Sequence, residues 1–92
     1  MAKVELARHL TVLFPQLAGQ ALQVEAATVA DVVQALEAKA PGFAFYVCDE
    51  RGRLRMHVNI FVGQDRVGDR QRLTDAVTAD SHVLIMQALS GG

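Results

Sequence analysis

Two segments near the start of the chain alternate apolar and polar residues, as half-buried strands do. They are residues 3–8 and residues 22–26. Between them, an apolar stretch over residues 10–14 ends at Pro15, and Gly19 marks a turn. The pattern predicts two paired strands, joined by a loop that is too long to fix the type of hairpin.

The clearest predicted helix begins after Thr28. The Thr28 hydroxyl can accept from an amide of the first turn, and Asp31 completes a capping box in which Asp replaces Glu. Pro41 and Gly42 end the helix. Apolar residues recur with helical spacing and form one stripe, which consists of Val29, Val32, Val33, Leu36 and Ala40.

The second half of the chain predicts two further strands. Residues 43–53 give a weak signal that ends in a turn at 49–52. The third strand has an apolar face formed by Met56, Val58, Ile60 and Val62. We expect residues 63–72 to form a polar loop, 73–77 one helical turn and 79–81 a tight turn, before a last strand over residues 82–89.

The order of strand, strand, helix, strand and strand predicts an α+β fold, with a mixed sheet packed on a single helix. A parallel sheet with helices on both faces would need more than one good helix, and the pattern shows only one. We expect residues 1–89 to form the domain and residues 90–92 to form a flexible C-terminal tail.

Composition narrows the classes of function. The 92 residues fit one domain, and 51% hydrophobic with 21% charged residues is a globular composition. The formal charge is −1 with no basic run, so no nucleic-acid partner is expected. No stretch approaches the ~20 apolar residues of a membrane span, and no signal peptide is evident. One cysteine suits a reducing compartment, so we expect a cytoplasmic protein with no membrane partner.

Three features together resemble the MoaD/ThiS family of ubiquitin-like sulfur carriers. They are the element order, the strand His-Val-Asn-Ile-Phe-Val at residues 57–62, and a last strand that runs into Gly91 and Gly92. The resemblance covers essentially the whole chain, mostly as pattern, and the final Gly-Gly is its specific part. It implies a ubiquitin-like β-grasp fold, with a mixed four- to five-stranded sheet packed on one main helix.

The resemblance implies that the protein is a carrier and not an enzyme. In the family, a ubiquitin-activating-like adenylyltransferase uses ATP and Mg to adenylate the last glycine's carboxylate. A persulfide sulfur donor then displaces AMP, and the resulting thiocarboxylate serves a sulfur-accepting synthase. Carried over, Gly92 would bear the chemistry and Leu89, Ser90 and Gly91 would thread into the partner. The protein itself would bind no cofactor or metal.

Two other functions are compatible with the sequence. The chain resembles a ubiquitin-like modifier joined through Gly92 to lysines of target proteins, and it also fits a plain β-grasp interaction module with an accidental Gly-Gly. The pathway that receives the sulfur stays open, because Gln87 and Ala88 stand where molybdopterin-type carriers favour prolines. Molybdopterin, thiamin, cysteine, tRNA and secondary-metabolite pathways all remain candidates.

An apolar patch is predicted on the sheet near the tail. Phe61 lies on the mixed face of its strand, while Leu84 and Met86 alternate with Val83 and Ile85. In a β-grasp sheet these strands are neighbours, so Phe61, Leu84 and Met86 are predicted to bind a partner. The alternatives are scattered surface residues, or cover by residues 43–47.

The remaining reactive side chains predict no catalytic site. Cys48 has no evident cation beside it and is expected to be a small semi-buried hydrophobe. No pair of histidines has metal-ligand spacing; the histidines are His9, His57 and His82. A group of alternating arginines is expected to form a solvated edge, with docking of an acidic partner as the alternative. These are Arg51, Arg53 and Arg55.

Overall fold

The computed structural model describes residues 1–87, in which five strands form one mixed sheet. The strands are β1 (Ala2–Leu6), β2 (Leu22–Val24), β3 (Val58–Val62), β4 (Asp65–Arg66) and β5 (His82–Gln87). The α-helices are α1 (Arg8–Leu13), α2 (Val29–Lys39) and α3 (Phe43–Val47), and Pro15–Leu17 form a 3₁₀ turn. The α+β class and the mixed sheet predicted from the sequence are confirmed.

The strand order is β2-β1-β5-β3-β4, so β5 lies in the middle of the sheet. β1 and β5 are parallel, and the other pairs are antiparallel. In register, Leu6 and Ile60 lie on either side of Ile85. Val83 and Ile85 are fully buried, which places the inner face of β5 in the core.

Helix α2 covers this inner face and is built as the sequence predicts. The Thr28 hydroxyl accepts from the Asp31 amide at 3.2 Å, and the Asp31 carboxylate accepts from the Thr28 amide at 3.2 Å. This capping box satisfies amides that the first helical turn leaves free. Every residue of the predicted apolar stripe is buried, namely Val29, Val32, Val33, Leu36 and Ala40.

The helical turn predicted at residues 73–77 is wrong. Leu73 has φ 56°, in the left-handed region, and its side chain is buried in the core. Two carboxylates hold the surrounding loop: Asp69 accepts from the Arg72 amide at 3.0 Å, and Asp75 accepts from the Gly68 amide at 2.9 Å. The Leu73 carbonyl in turn accepts from the Ala30 amide at 2.9 Å, so the loop caps α2.

Three other boundaries differ from the sequence pattern. Residues 8–13 form α1, and residues 43–47 form α3, where the sequence predicts a loop and a weak signal. Met56 lies outside the strand and is 96% exposed, so the apolar face of β3 begins at Val58. The last strand is described to Gln87; the predicted strand end at Leu89 and the domain boundary lie outside the described residues.

The two faces of β5 predict losses of stability of different size on truncation. We expect Ile85→Ala to lower the free energy of unfolding by about 2–5 kcal/mol, because it opens a cavity between the sheet and α2. Leu84→Ala removes a half-buried side chain from the other face and should cost clearly less. Urea denaturation measures both. A larger loss for Leu84→Ala would place the strand one residue out of register.

The carboxylate-held loop predicts acid sensitivity. Hydrogen bonds from Thr74 and from the Arg72 amide lower the pKa of Asp69, and those from the Gly68 and Asp69 amides lower the pKa of Asp75. A lowered folded-state pKa stabilises the fold above the unfolded value and loses that effect as protons bind. The free energy of unfolding should therefore fall below about pH 4. Denaturation across a pH series should show that the free energy of unfolding of Asp69→Asn falls less steeply with decreasing pH than that of the wild type.

Candidate functional site

The candidate site surrounds the end of β5, because the chain continues from there to the predicted tail. Leu89, Ser90, Gly91 and Gly92 lie outside the described residues. The geometry that bears on function is therefore the sheet face beside β5 and the side chains around Gln87.

The outer patch, which we define as Phe61, Leu84 and Met86, lies on the sheet face opposite α2. Phe61 pairs directly with Leu84 across β3 and β5, and Met86 pairs with Asn59 two residues further along. Met86 is 36% exposed, and Phe61 and Leu84 are half-buried. The structure therefore brings the three predicted residues together on one face.

Charged side chains border the outer patch on both sides. On β1, Glu5 pairs in register with Leu84, and its carboxylate lies 3.1 Å from Nε2 of His82. On β4, the Arg66 guanidinium lies 5.7 Å from the centre of the Phe61 ring. Residues 43–47 form α3, which packs on α2 and not on the outer patch. An apolar centre with a polar rim is the usual composition of a protein interface.

The end of β5 is fastened to α3 on the other side of the sheet. The Tyr46 hydroxyl donates to Oε1 of Gln87 at 2.8 Å. The Tyr46 ring also meets Phe14 and His57 edge-on, with ring centres 5.7 Å and 6.2 Å away. The C-terminal end of α1, helix α3 and the residues just before β3 thus meet around Gln87, the last residue that the structure describes.

Tyr46 is not among the residues predicted from the sequence, because the sequence pattern does not predict α3. Phe43, Phe45 and Val47 alternate as in a strand, whereas Phe43 and Val47 alone have helical i, i+4 spacing. Both patterns fit so short a segment. The preceding Pro41 and Gly42 are the signal that favours a new helix, because they separate the segment from α2.

Cys48 is a buried thiol with no feature of a nucleophile. It is 6% exposed. Burial raises its pKa, the Asp49 carboxylate raises it further, and Arg55 acts in the opposite direction. A raised pKa leaves little thiolate at neutral pH, which agrees with a packing role. Within residues 1–87, no cluster of three potential metal ligands forms.

A cleft of about 650 Å³ lies between α2, α3 and the turn at residues 49–52. Three carboxylates line this cleft, and two of them, Glu37 and Asp49, accept hydrogen bonds from neighbouring groups, while the third is the exposed Glu50. Glu37 accepts from the amides of Ala44 at 2.8 Å and Gly42 at 3.1 Å, which lower its pKa. Asp49 accepts from Nε of Arg53 at 3.0 Å. Among the residues that the structure describes, this cleft therefore offers no free pair of carboxylates for acid–base chemistry.

No helix in the described part of the chain combines the length and the apolar character that crossing a membrane requires. The described arginines at residues 51–55 are mostly exposed, as the predicted solvated edge requires, although Arg55 is half-buried.

Neither a protein-family model nor a curated protein matches this sequence. Solved structures match over the full length. A chain of the Amycolatopsis orientalis BexX/CysO complex has a TM-score of 0.85 at 20% identity and covers 100% of both chains. Mycobacterium tuberculosis CysO has a TM-score of 0.80 at 25% identity, over 97% of this chain and 100% of that one. SAMP1 from Haloferax volcanii has a TM-score of 0.78 at 22% identity, over 99% and 98%.

The resemblance to the MoaD/ThiS family stated from the sequence is therefore confirmed, and the chain is a ubiquitin-like β-grasp protein similar to CysO and SAMP1.

Proposed function

We propose that this protein is a sulfur carrier whose Gly92 carboxylate is converted to a thiocarboxylate. A ubiquitin-activating-like adenylyltransferase adenylates the carboxylate with ATP and Mg. The terminal sulfur of a persulfide donor attacks the adenylate and AMP leaves, which forms an acyl disulfide. A second thiol of the sulfur-transfer machinery then cleaves this acyl disulfide, is itself oxidised to a disulfide, and releases the thiocarboxylate. A sulfur-accepting synthase then takes the sulfur. The observation that carries the proposal is the Gly-Gly sequence at Gly91 and Gly92, which follows the central strand, described to Gln87, of a β-grasp fold like that of CysO.

The geometry around Gln87 supports this chemistry. A free carboxylate is a poor electrophile, so a partner must enclose it and install a leaving group. Beyond Gln87, the five residues to Gly92 span at most roughly 17 Å when extended. That length lets the reacting carboxylate enter a partner while the folded body stays outside. Gly91 and Gly92 have no Cβ, so the backbone fits a narrow channel.

A carrier role agrees with what the described side chains do. In the cleft between α2 and α3, Glu37 accepts from backbone amides and Asp49 accepts from Arg53, and the thiol of Cys48 is buried. The free thiol also suits a reducing compartment, and we place the protein in the cytoplasm for that reason. A synthase encoded beside this protein would name the acceptor pathway.

A second candidate is a ubiquitin-like modifier joined through Gly92 to lysines of other proteins. It is favoured by the similarity to a Haloferax volcanii protein called small archaeal modifier protein 1, with a TM-score of 0.72 at 19% identity. Both functions begin with the same adenylation, so they differ in what attacks the activated carboxylate.

The carrier function predicts a change of mass at Gly92. The protein is incubated with the adenylyltransferase of the same organism, ATP and a sulfide source, and its intact mass is measured. We expect one sulfur-for-oxygen exchange, localised to Gly92 by fragmentation. Gly91→Val should nearly abolish it, because a β-branched residue narrows the backbone angles and widens the chain.

Two controls separate the outcomes. Cys48→Ser should leave the exchange unchanged, because the carboxylate and not the thiol is activated. Adding one residue after Gly92 should abolish the exchange; if the extended chain still accepts sulfur, the carrier hypothesis fails. If Gly92 is instead recovered joined to lysines of other proteins, the modifier function replaces it.

The outer patch predicts a loss of partner binding. Met86→Asp should weaken binding to the adenylyltransferase about tenfold or more, because it places a charge in an apolar contact, and should leave the fold intact. Met86 is the cleaner site, since an Asp at Leu84 would lie directly opposite Glu5. Gln23→Asp is the matched control, two strands away on the same face. Equal affinities for the two variants would remove the outer patch from the interface.

A further inference from the structure

Exposed large apolar side chains collect at the end of the molecule where β5 ends. Met1 apart, the most exposed of them within residues 1–87 are Val12, Leu13, Phe45, Met56 and Met86. Three elements carry these side chains to this end. Helix α1 begins just after Ala7, whose amide donates to the Ile85 carbonyl at 3.0 Å. Helix α3 contains Tyr46, which bonds Gln87, and residues 55–57 come just before Val58, which pairs with Gln87.

Met56 is the most exposed of these side chains, at 96%, and its backbone is held in place. The Arg70 guanidinium donates through Nη2 to the Arg55 carbonyl at 2.7 Å and to the Val58 carbonyl at 2.9 Å. The Val58 amide also donates to the Arg55 carbonyl at 3.0 Å. The turn that displays Met56 is therefore ordered before any partner binds, which lowers the entropic cost of a contact there.

Arg55 places a positive charge beside the exposed ring of Phe45. Its Nε donates to the Phe45 carbonyl at 3.0 Å, and its guanidinium lies 4.8 Å from the centre of the Phe45 ring, which is 63% exposed. The two ion pairs found within residues 1–87 join Arg53 to Asp49 and His82 to Glu5, so neither uses Arg55. The ring and the carbonyl orient the guanidinium and leave its charge available to a carboxylate.

We propose that Phe45, Arg55 and Met56, here called the exit surface, form a second docking surface for the adenylyltransferase. A carboxylate of that enzyme pairs with Arg55, and apolar groups cover Phe45 and Met56. The inference rests on the proposed function. It follows from the length of chain between Gln87 and Gly92, because an enzyme that encloses Gly92 must come within roughly 17 Å of Gln87. The exit surface lies near Gln87: Tyr46, which follows Phe45, donates to it, and Val58, two residues after Met56, pairs with it. Phe, Met and Arg are also the residue types enriched at interfaces.

The test compares charge changes at the exit surface with matched changes at the other end of the sheet. Met56→Glu is matched by Gln64→Glu, in the turn where the Gly63 amide donates to the His82 carbonyl at the start of β5. Arg55→Glu is matched by Lys3→Glu, which pairs in register with His82. Thermal unfolding confirms that all four variants fold. The readouts are KM and kcat for carrier-dependent adenylation, and affinity for the enzyme without ATP.

We expect Met56→Glu and Arg55→Glu each to raise KM about tenfold or more with kcat nearly unchanged, because docking and not chemistry is lost. Arg55→Lys should retain most of the affinity, and salt should weaken binding of the wild type more than that of Arg55→Glu. Gln64→Glu and Lys3→Glu should behave as the wild type.

The outcomes separate the two proposals. If the wild type is adenylated and the exit-surface variants keep its KM, the exit surface is wrong and the carrier function stands. If the wild type is not adenylated, the carrier function is wrong. The affinity of each variant for the enzyme without ATP then shows whether the exit surface takes part in docking. The exit surface is upheld if Met56→Glu and Arg55→Glu lose binding that Gln64→Glu and Lys3→Glu keep. It is overturned if all variants bind equally well, or if no form of the protein binds.

Discussion

The parallel pairing of β1 with β5 is the constraint on which the rest of the structure depends. It joins segments almost 80 residues apart in register, Lys3 with His82 through Leu6 with Ile85. Parallel strands need a long crossover, and here that crossover contains α2, which buries its apolar stripe on the sheet. Because β5 pairs with β3 on its other side, the same strand sets the register of both halves of the sheet.

This arrangement assigns separate tasks to the parts of one strand. Val83 and Ile85 lie in the core and determine stability, while Leu84 and Met86 lie on the outer face, where the proposed function gives them a role in recognition. At Gln87, the last residue that the structure describes, the Tyr46 hydroxyl donates to the side chain and ties β5 to α3. A change in recognition residues can therefore leave the core unaltered.

Much of the fold was predictable because its signals are local. The capping box of Thr28 and Asp31, the stripe of α2 and the alternation of β5 all arise within a few residues. The left-handed backbone of Leu73 could not be predicted, because the loop around it is ordered partly by amides of α2. The exposure of Met56 was also missed: alternation continues through it, but Arg70 holds its turn from a distant part of the chain. Predicting the outer patch required two signals. One is the alternation along each strand, and the other is the resemblance, which implies a sheet in which β3 and β5 are neighbours.

The central position of β5 has a mechanical consequence. A partner that draws the tail taut pulls roughly along the axis of β5, while the hydrogen bonds to β1 and β3 run across that axis. Such bonds are loaded in shear and share the force along both edges of the strand, instead of opening one after another as at a peeled edge. The body thus resists being unravelled through its own tail, and the partner's pull is transmitted to the whole sheet.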